Sequence, residues 1–341
     1  NLRCGDSLLG IHRLDQLTEL SMTPTGKGQQ RLFGQNIERA VHEAIELRQR
    51  LREIPIRDIH DVEAMAHLDA DARRRLEVPE CIADAFIGEV FASGGNSVGL
   101  ENALTSLAVQ AGQAIDGGRD VLTSMRRRSI VALSIDLPAD KSARRPFHWP
   151  LEFPEVFTHG VRGFDAIIGN PPFLGGTLAS ATLGVAYMAG LQSLNPPWHG
   201  KADLVVGFFK KAAQLLDQAG KFSFVATASL LRGETLDAGI RPLTASGWHL
   251  YSARSSYKWP GSAVLEVVNV SFARDWHGEF RLNDMVVSGI SEDLLPKIID
   301  EVQPYELASR CLSGKLGAKL SSMNREIAYD IYHDSGRPIQ S

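Results

Sequence analysis

A short apolar run, Phe164-Asp165-Ala166-Ile167-Ile168-Gly169, ends on Asn170-Pro171-Pro172-Phe173. This junction constrains the chain more than any other stretch. The run has the length and composition of a buried parallel strand. Two successive prolines then remove two backbone donors and fix φ near about −65°, so neither a strand nor a helix continues through them. A strand that stops on a rigid loop places the loop at its carboxyl end, and in open α/β sheets ligands bind there. The bland alternative is a stiff turn after a buried strand.

The residues that follow supply the rest of such a sheet. Asp203 is positioned to cap a helix whose Leu204, Phe208, Ala212 and Leu215 share one face, with Gly220 as its stop. Lys221–Ala226 reads as the next apolar strand, and Trp248–Arg254 and Ala263–Phe272 as two more. Residues 276–290 suggest a hairpin, and Ser291-Glu292-Asp293 opens a short helix. Strand, helix, strand in this order predicts an α/β fold. A second Asn195-Pro196-Pro197-Trp198 follows Leu191-Gln192-Ser193-Leu194, which is no clean strand, and reads as a loop.

Upstream the pattern is different. Residues 2–9 read as a short strand running into a loop, and 21–35 as loop. Ile37, Val41, Ile45 and Leu51 recur at helical spacing. Further helices are expected near 61–76, 81–92, 99–115 and 117–130, bounded by Gly94-Gly95-Asn96 and Gly117-Gly118. Pro146, Pro150 and Pro154 forbid a long helix in 138–163, which reads as an extended connector. Two readings of the arginines Arg126-Arg127-Arg128 and Arg144-Arg145 compete: contact with phosphate, or solvated faces of a packing subdomain, with the second favoured.

Composition narrows the class. Hydrophobic residues make up 44% and charged residues 22% of 341, as in ordinary globular chains. A net charge of −4 neither selects nor excludes nucleic acid, which needs only a local basic surface. Cys4, Cys81 and Cys311 are too scattered for a disulfide framework or a zinc site, and no metal is expected. Their usage fits a reducing compartment, the cytoplasm. No run of about 18 apolar residues suggests a membrane span. No G-x-G-x-x-G follows a strand, which disfavours a nicotinamide oxidoreductase.

The chemistry of the prolyl loop is more specific. Asn170 offers a side-chain carbonyl acceptor, the adjoining peptide carbonyl a second, and Phe173 a flat apolar face. Those features suit an adenine extruded from its stack. Accepting both protons of the exocyclic amine draws its lone pair out of conjugation and makes the nitrogen a better nucleophile. An aromatic face holds the extruded base, worth about 1–3 kcal/mol per base. Direct transfer to such an amine needs neither metal nor covalent intermediate.

Phe164–Phe173 resembles the fourth motif of the adenine-N6 DNA methyltransferases. Pro146–Phe157 is similar to the stretch preceding that motif in large restriction–modification and phage-defence methylases. Lys201-Ala202-Asp203-Leu204, Phe224–Ser229 with Arg232-Gly233-Glu234, and Trp259-Pro260-Gly261 before a Val-rich strand resemble the elements that follow. The resemblance covers residues 1–11 and about 144–275. It implies a partial class I (Rossmann-like) methyltransferase sheet with a large helical insertion. It implies transfer of methyl from S-adenosylmethionine to the N6 amine of a flipped adenine in double-stranded DNA. Other subunits of a restriction–modification or defence system are compatible partners. The segments divide as 1–11, a third-strand segment at the cofactor edge; 12–160, helical insertion and connector; 161–275, catalytic core; and 276–341, hairpin and start of a target-recognition region.

Carried over residue by residue, Asn170, Pro171, Pro172 and Phe173 form the catalytic loop, with Asn170 and Pro171 on the amine and Phe173 on the base. Asp6, in Cys4-Gly5-Asp6-Ser7-Leu8, matches the acidic residue that contacts the adenine ring of the methyl donor; a loop aspartate capping a turn is an equal alternative. Tyr257 or Trp259 would cover the other face of the base, against the plainer reading of a core aromatic. The family's glycine-rich donor loop is not found in this sequence. The family order would put it before Asn1, with the first two strands of the sheet, which would leave the Phe164–Ile168 strand without its main neighbour and with an exposed edge; the abrupt start without Met fits a truncated chain, with the carboxyl end cut as well. On that reading the isolated chain binds the donor poorly. The competing functions are a non-catalytic DNA-binding or scaffold fragment, and the modification half of a bifunctional restriction endonuclease whose nuclease motif lies outside this stretch.

Overall fold

The computed structural model describes residues 2–24, 33–94, 96–157, 163–195, 198, 201–259 and 265–297. Cys311 and the tail from 304 lie outside them, as do Pro196, Pro197, Pro260 and Gly261.

The amino-terminal half is helical. After a short α1 (Leu14–Thr18) come α2 (Gly34–Glu53), α3 (Ile59–Ala92), α4 (Ser97–Ile115) and α5 (Arg119–Leu133). Asp58 starts α3 by accepting the N–H groups of His60 and Asp61 at 2.8 and 3.2 Å, while Asp61 reaches back to Asp58 N–H. The two helices expected at 61–76 and 81–92 are one, running through Pro79. Its second half packs Cys81, Ile82, Ala83, Phe86, Ile87, Val90 and Phe91 into the core that α2, α4 and α5 cover. That burial outweighs the backbone bond a proline removes. Arg126 pairs with Glu77 and Arg128 with Glu89, so these two arginines tie α5 to α3.

The connector is not fully extended: it contains two single-turn helices, α6 (Trp149–Glu152) and α7 (Pro154–Phe157). It grips the amino terminus. Asp6 N–H donates to Arg145 O at 2.7 Å, Phe147 N–H to Asp6 O at 3.1 Å and Trp149 N–H to Ile11 O at 3.1 Å. Among the described residues only one bridge, Asp6 with Pro146, forms there, so the strand expected at 2–9 is a turn held by its neighbour. Gly10 lies against the Phe147 carbonyl with no room for a side chain. Buried His148 accepts Ile11 N–H at Nδ1 (3.4 Å) and lies 3.1 Å from Asp84 of α3 at Nε2. Trp149, Phe153 and Phe157 surround Phe164 with ring centroids 5.4–5.8 Å away. The aromatic connector thereby fixes where the sheet begins.

The sheet is built from β1 (Phe164–Gly169), β2 (Leu216–Thr227), β3 (His249–Lys258), β4 (Glu266–Ala273), β5 (Phe280–Leu282) and β6 (Met285–Val287), in the order β1-β2-β4-β3-β5-β6. β1 and β2 are parallel, β4 is antiparallel to both β2 and β3, and β3 is parallel to β5. The α/β class is as expected. Helices α8 (Gly176–Leu183), α9 (Val185–Leu194) and α10 (Val205–Leu215) connect β1 to β2. A 3-10 turn (Ala228–Leu231), α11 (Gly233–Ala238) and α12 (Ile240–Ala245) lead to β3. Phe209, Phe222, Phe224, Trp248 and Phe272 form the core under the sheet.

Several expectations need correction. β1 is not buried as its apolar run alone suggests: Ile168 is 85% exposed, in line with the exposed edge expected for this strand, because among the described residues β1 pairs with β2 alone. Gly220 does not end α10, which passes directly into β2; Gly220 instead lies in the strand, packed on the Phe164 carbonyl. Asp203 does not cap α10, whose N-cap is Leu204 without a side-chain bond. Ser291–Asp293 form a turn, not a helix. Asn195, read as a loop residue, follows helix α9 as its C-cap, with its amide donating to Leu191 O at 2.9 Å. The hairpin is present, turning on Asn283 and Asp284 with φ of 51° and 67°. No helix among the described residues is long and apolar enough to cross a membrane.

Candidate functional site

Strands β1, β2 and β3 run in one direction, so their carboxyl ends lie along the same edge of the sheet. Asn170 follows β1, Ala228 follows β2 and Trp259 follows β3. Gly169 is required at the end of β1: a Cβ there would sit 2.8 Å from the Phe224 ring of β2. Asn170 is exposed and its amide makes no hydrogen bond among the described residues. Pro171 is buried, Pro172 exposed, and the Pro172 carbonyl accepts Leu174 N–H at 3.0 Å. The loop is thus rigid while its amide side chain faces outward.

Phe173 meets Trp259 edge to face, with ring centroids 6.2 Å apart and planes at 82°. Trp259 is tied down by donation of its backbone N–H to Leu265 O at 3.0 Å. Of the two aromatic candidates, Trp259 is the one brought to the loop. The Tyr257 ring is covered instead by the Arg254 guanidinium, 4.9 Å from its centroid.

The segment Lys201–Leu204 supports the loop from below. Leu204 N–H donates to Leu174 O at 3.0 Å, and Gly176 lies against the Lys201 carbonyl without space for a Cβ. Asp203 N–H is held by Thr235 Oγ1 at 3.1 Å and Lys201 N–H by the Glu234 carboxylate. The Asp203 carboxylate accepts the Ser229 hydroxyl. Sequence reasoning missed this role, since a local reading assigns Asp203 to its own helix and the partner lies 26 residues on.

Asp6 lies in a separate network with the helical half. Its Oδ1 accepts Leu8 N–H at 3.1 Å, as a turn-capping aspartate does, and its Oδ2 accepts the Tyr187 hydroxyl at 2.6 Å. Tyr187 on α9 is buried under the Arg144 guanidinium, 4.9 Å from its ring centroid. Burial, then the Asp6 charge, pushes the Tyr187 phenol well above its ordinary value, so it remains a donor. Lys211 Nζ, buried, donates to Gly10 O at 3.2 Å, and His12 nearby is pushed down to about 2 by burial and by Lys211.

Burial also lowers Lys211 from 10.5 to about 8, with Asp6 opposing the shift. Between about pH 8 and 10.5 the unfolded chain therefore binds more protons, and stability rises with pH across that window. Below pH 8 the whole penalty is present. Lys211→Met removes it and loses one hydrogen bond, so the net expected effect at pH 7 is stabilisation by about 2 kcal/mol. The advantage should fade as pH rises toward 10.5. Thermal melts of both proteins at pH 7 and at pH 10 test this, and a destabilised variant at pH 7 would contradict it.

Residues 122–244 match the family model of the Eco57I restriction-modification methylases. That span holds Asn170–Phe173, Asp203 and Ser229, and ends before Trp259. No curated protein matches the chain. Among solved structures, one match is the Type IIL restriction-modification enzyme MmeI in complex with DNA, at 18% identity and a TM-score of 0.37, covering 53% of this chain and 27% of that one. The chain thus spans about a quarter of that enzyme's length.

Proposed function

We propose that this chain carries the target-base side of a DNA methyltransferase that methylates the N6 amine of an adenine flipped out of double-stranded DNA. The observation that carries the reading is the pairing of Phe173 with Trp259 beside an exposed, unengaged Asn170 at the carboxyl end of β1. The match of residues 122–244 to a restriction-modification methylase family supports methyl transfer to DNA.

In this reading the Asn170 side-chain carbonyl and the peptide carbonyl beside it accept the two amine protons, which localises the lone pair on nitrogen. The two prolines hold both acceptors still, so no reorganisation is needed as charge develops. Phe173 and Trp259, in edge-to-face contact beside the loop, offer aromatic surface on which the base can stack. The side-chain cations of Lys201, Arg232 and Lys258 are exposed at the same end of the sheet and form no ion pair among the described residues, which suits phosphate contact.

The methyl donor implied is S-adenosylmethionine, which when bound supplies an electrophilic sulfonium methyl. Of the roughly four acceptor sites on an ionised carboxylate, Leu8 and Tyr187 occupy two on Asp6. The side chain keeps capacity for an adenine amine, and Asp6 is the residue that would hold the donor's base.

Trp259→Ala in the full-length protein is expected to lower kcat/KM for DNA about tenfold, from loss of a stacking face worth about 1–3 kcal/mol, while Trp259→Phe retains most of it. Methylation kinetics with unmethylated plasmid DNA decide this. An unchanged kcat/KM in Trp259→Ala would remove Trp259 from the pocket.

A further inference from the structure

The loop that carries Phe173 is closed into a circuit. β1 leads into Asn170–Phe173, and residues 174–176 then rest backbone to backbone on 201–204. A Cβ on Gly175 would lie 3.3 Å from Asp203 Oδ1, so the carboxylate is packed directly against the loop. On its other oxygen Asp203 accepts the Ser229 hydroxyl, and Ser229 Oγ in turn shares a hydrogen bond with Thr227 Oγ1. Thr227 is the last residue of β2, the strand paired with β1. The path from β1 through Phe173 and Asp203 to Ser229 therefore returns to the strand beside β1.

The far side of the middle segment is fixed independently. Glu234 holds Lys201 N–H and Thr235 holds Asp203 N–H. The Asp203 side chain is thus free of any capping duty on α10 and joins two loops that both border the site. We propose that Asp203, braced by the Ser229 hydroxyl, is a positioning residue that fixes the 173–176 loop and with it the Phe173 ring against Trp259. It touches neither base nor donor, and it acts through Phe173. The proposal rests on the reading of Asn170–Phe173 as the base pocket. It adds a polar brace, supplied by two loops that follow in the sequence, that sets the pocket's width.

The experiment uses the full-length protein, unmethylated plasmid DNA and tritium-labelled S-adenosylmethionine, with kcat, KM for DNA and melting temperature read for each variant. Misplacing a stacked group by about 1 Å costs on the order of 10²-fold in rate, so Asp203→Ala should lower kcat about tenfold to a hundredfold with KM for DNA changed less than about threefold. Asp203→Asn should rescue, because its side-chain carbonyl still accepts the Ser229 hydroxyl. Ser229→Ala removes an exposed hydroxyl, so it should melt as the parent does and lower kcat by a smaller factor than Asp203→Ala. Wild-type kcat in Asp203→Ala overturns the proposal. Equal losses in Asp203→Ala and Asp203→Asn also overturn it, since the charge rather than the acceptor would then matter. If Asp203→Ala does not fold, wild-type kcat in Ser229→Ala overturns it. Asn170→Ala, run alongside, separates the two levels: activity there defeats the base-pocket reading itself. An inactive Asn170→Ala beside an unaffected Asp203→Ala defeats only the brace.

Discussion

Asn170→Ala is expected to lower adenine methylation by about 10²–10³-fold, the usual cost of removing one preorganised hydrogen-bonding group from a reacting centre. The side chain is exposed and makes no hydrogen bond among the described residues, so no folding contact is lost with it. The melting temperature should therefore stay close to that of the parent, and DNA affinity should change little because the aromatic pair remains. Asn170→Asp is informative beside it: the carboxylate keeps two acceptors and should retain more activity than alanine. A variant with alanine at 170 and undiminished methylation would end the assignment of this loop.

The largest effect on stability is expected far from that loop. Phe222 is 1% exposed, and its ring centroid lies 5.1 Å from Phe272, 5.3 Å from Phe224 and Trp248, and 5.6 Å from Phe209. Truncation to alanine opens a cavity between β2, β4 and α10 that these rings cannot refill without leaving their own partners. The expected cost is about 3–5 kcal/mol, and for a unit of this size the melting temperature should fall on the order of 10 °C. The folded fraction should still methylate, since Phe222 lies five residues before the carboxyl end of β2. A loss of less than about 1 kcal/mol in chemical denaturation would mean that the aromatic stack is not the core it is taken for.

What the sequence made legible follows from how local each signal is. Phe164–Phe173 is local: a short apolar run that ends on two prolines reads as a strand and a rigid stop from its own residues. The Val-rich strand β4 and the hairpin at Asn283-Asp284 are legible for the same reason. Helices α8 and α9 were not recognised, because Gly176–Leu194 is full of Gly, Ala, Ser and Thr and shows little periodicity. They exist through distant contacts, with Ala179, Tyr187, Met188 and Leu191 buried in the helical core. The exposure of β1 could not be read from its residues, since burial depends on which strands lie beside it.

The site divides in the same way. Asn170 and Phe173 were proposed from the residues of the prolyl loop alone. The choice between Tyr257 and Trp259 was not, because the two lie only two residues apart and only the fold brings one of them to Phe173. Asp203 shows the limit most plainly: aspartate before an amphipathic helix is a capping signal, yet its carboxylate is used by Ser229 on another loop. Asp6 was left between donor contact and turn cap. Its bond to Leu8 N–H is that of a cap, and Tyr187 adds a partner that no local pattern announces.

The central claim is that the amine held at Asn170 belongs to adenine. Nucleoside analysis by mass spectrometry tests it most directly, on unmethylated DNA incubated with S-adenosylmethionine and either the full-length protein or its Asn170→Ala variant. The account predicts N6-methyladenine from the first and none above background from the second. Methylated cytosine in place of methyladenine, or equal methyladenine from both proteins, would contradict it.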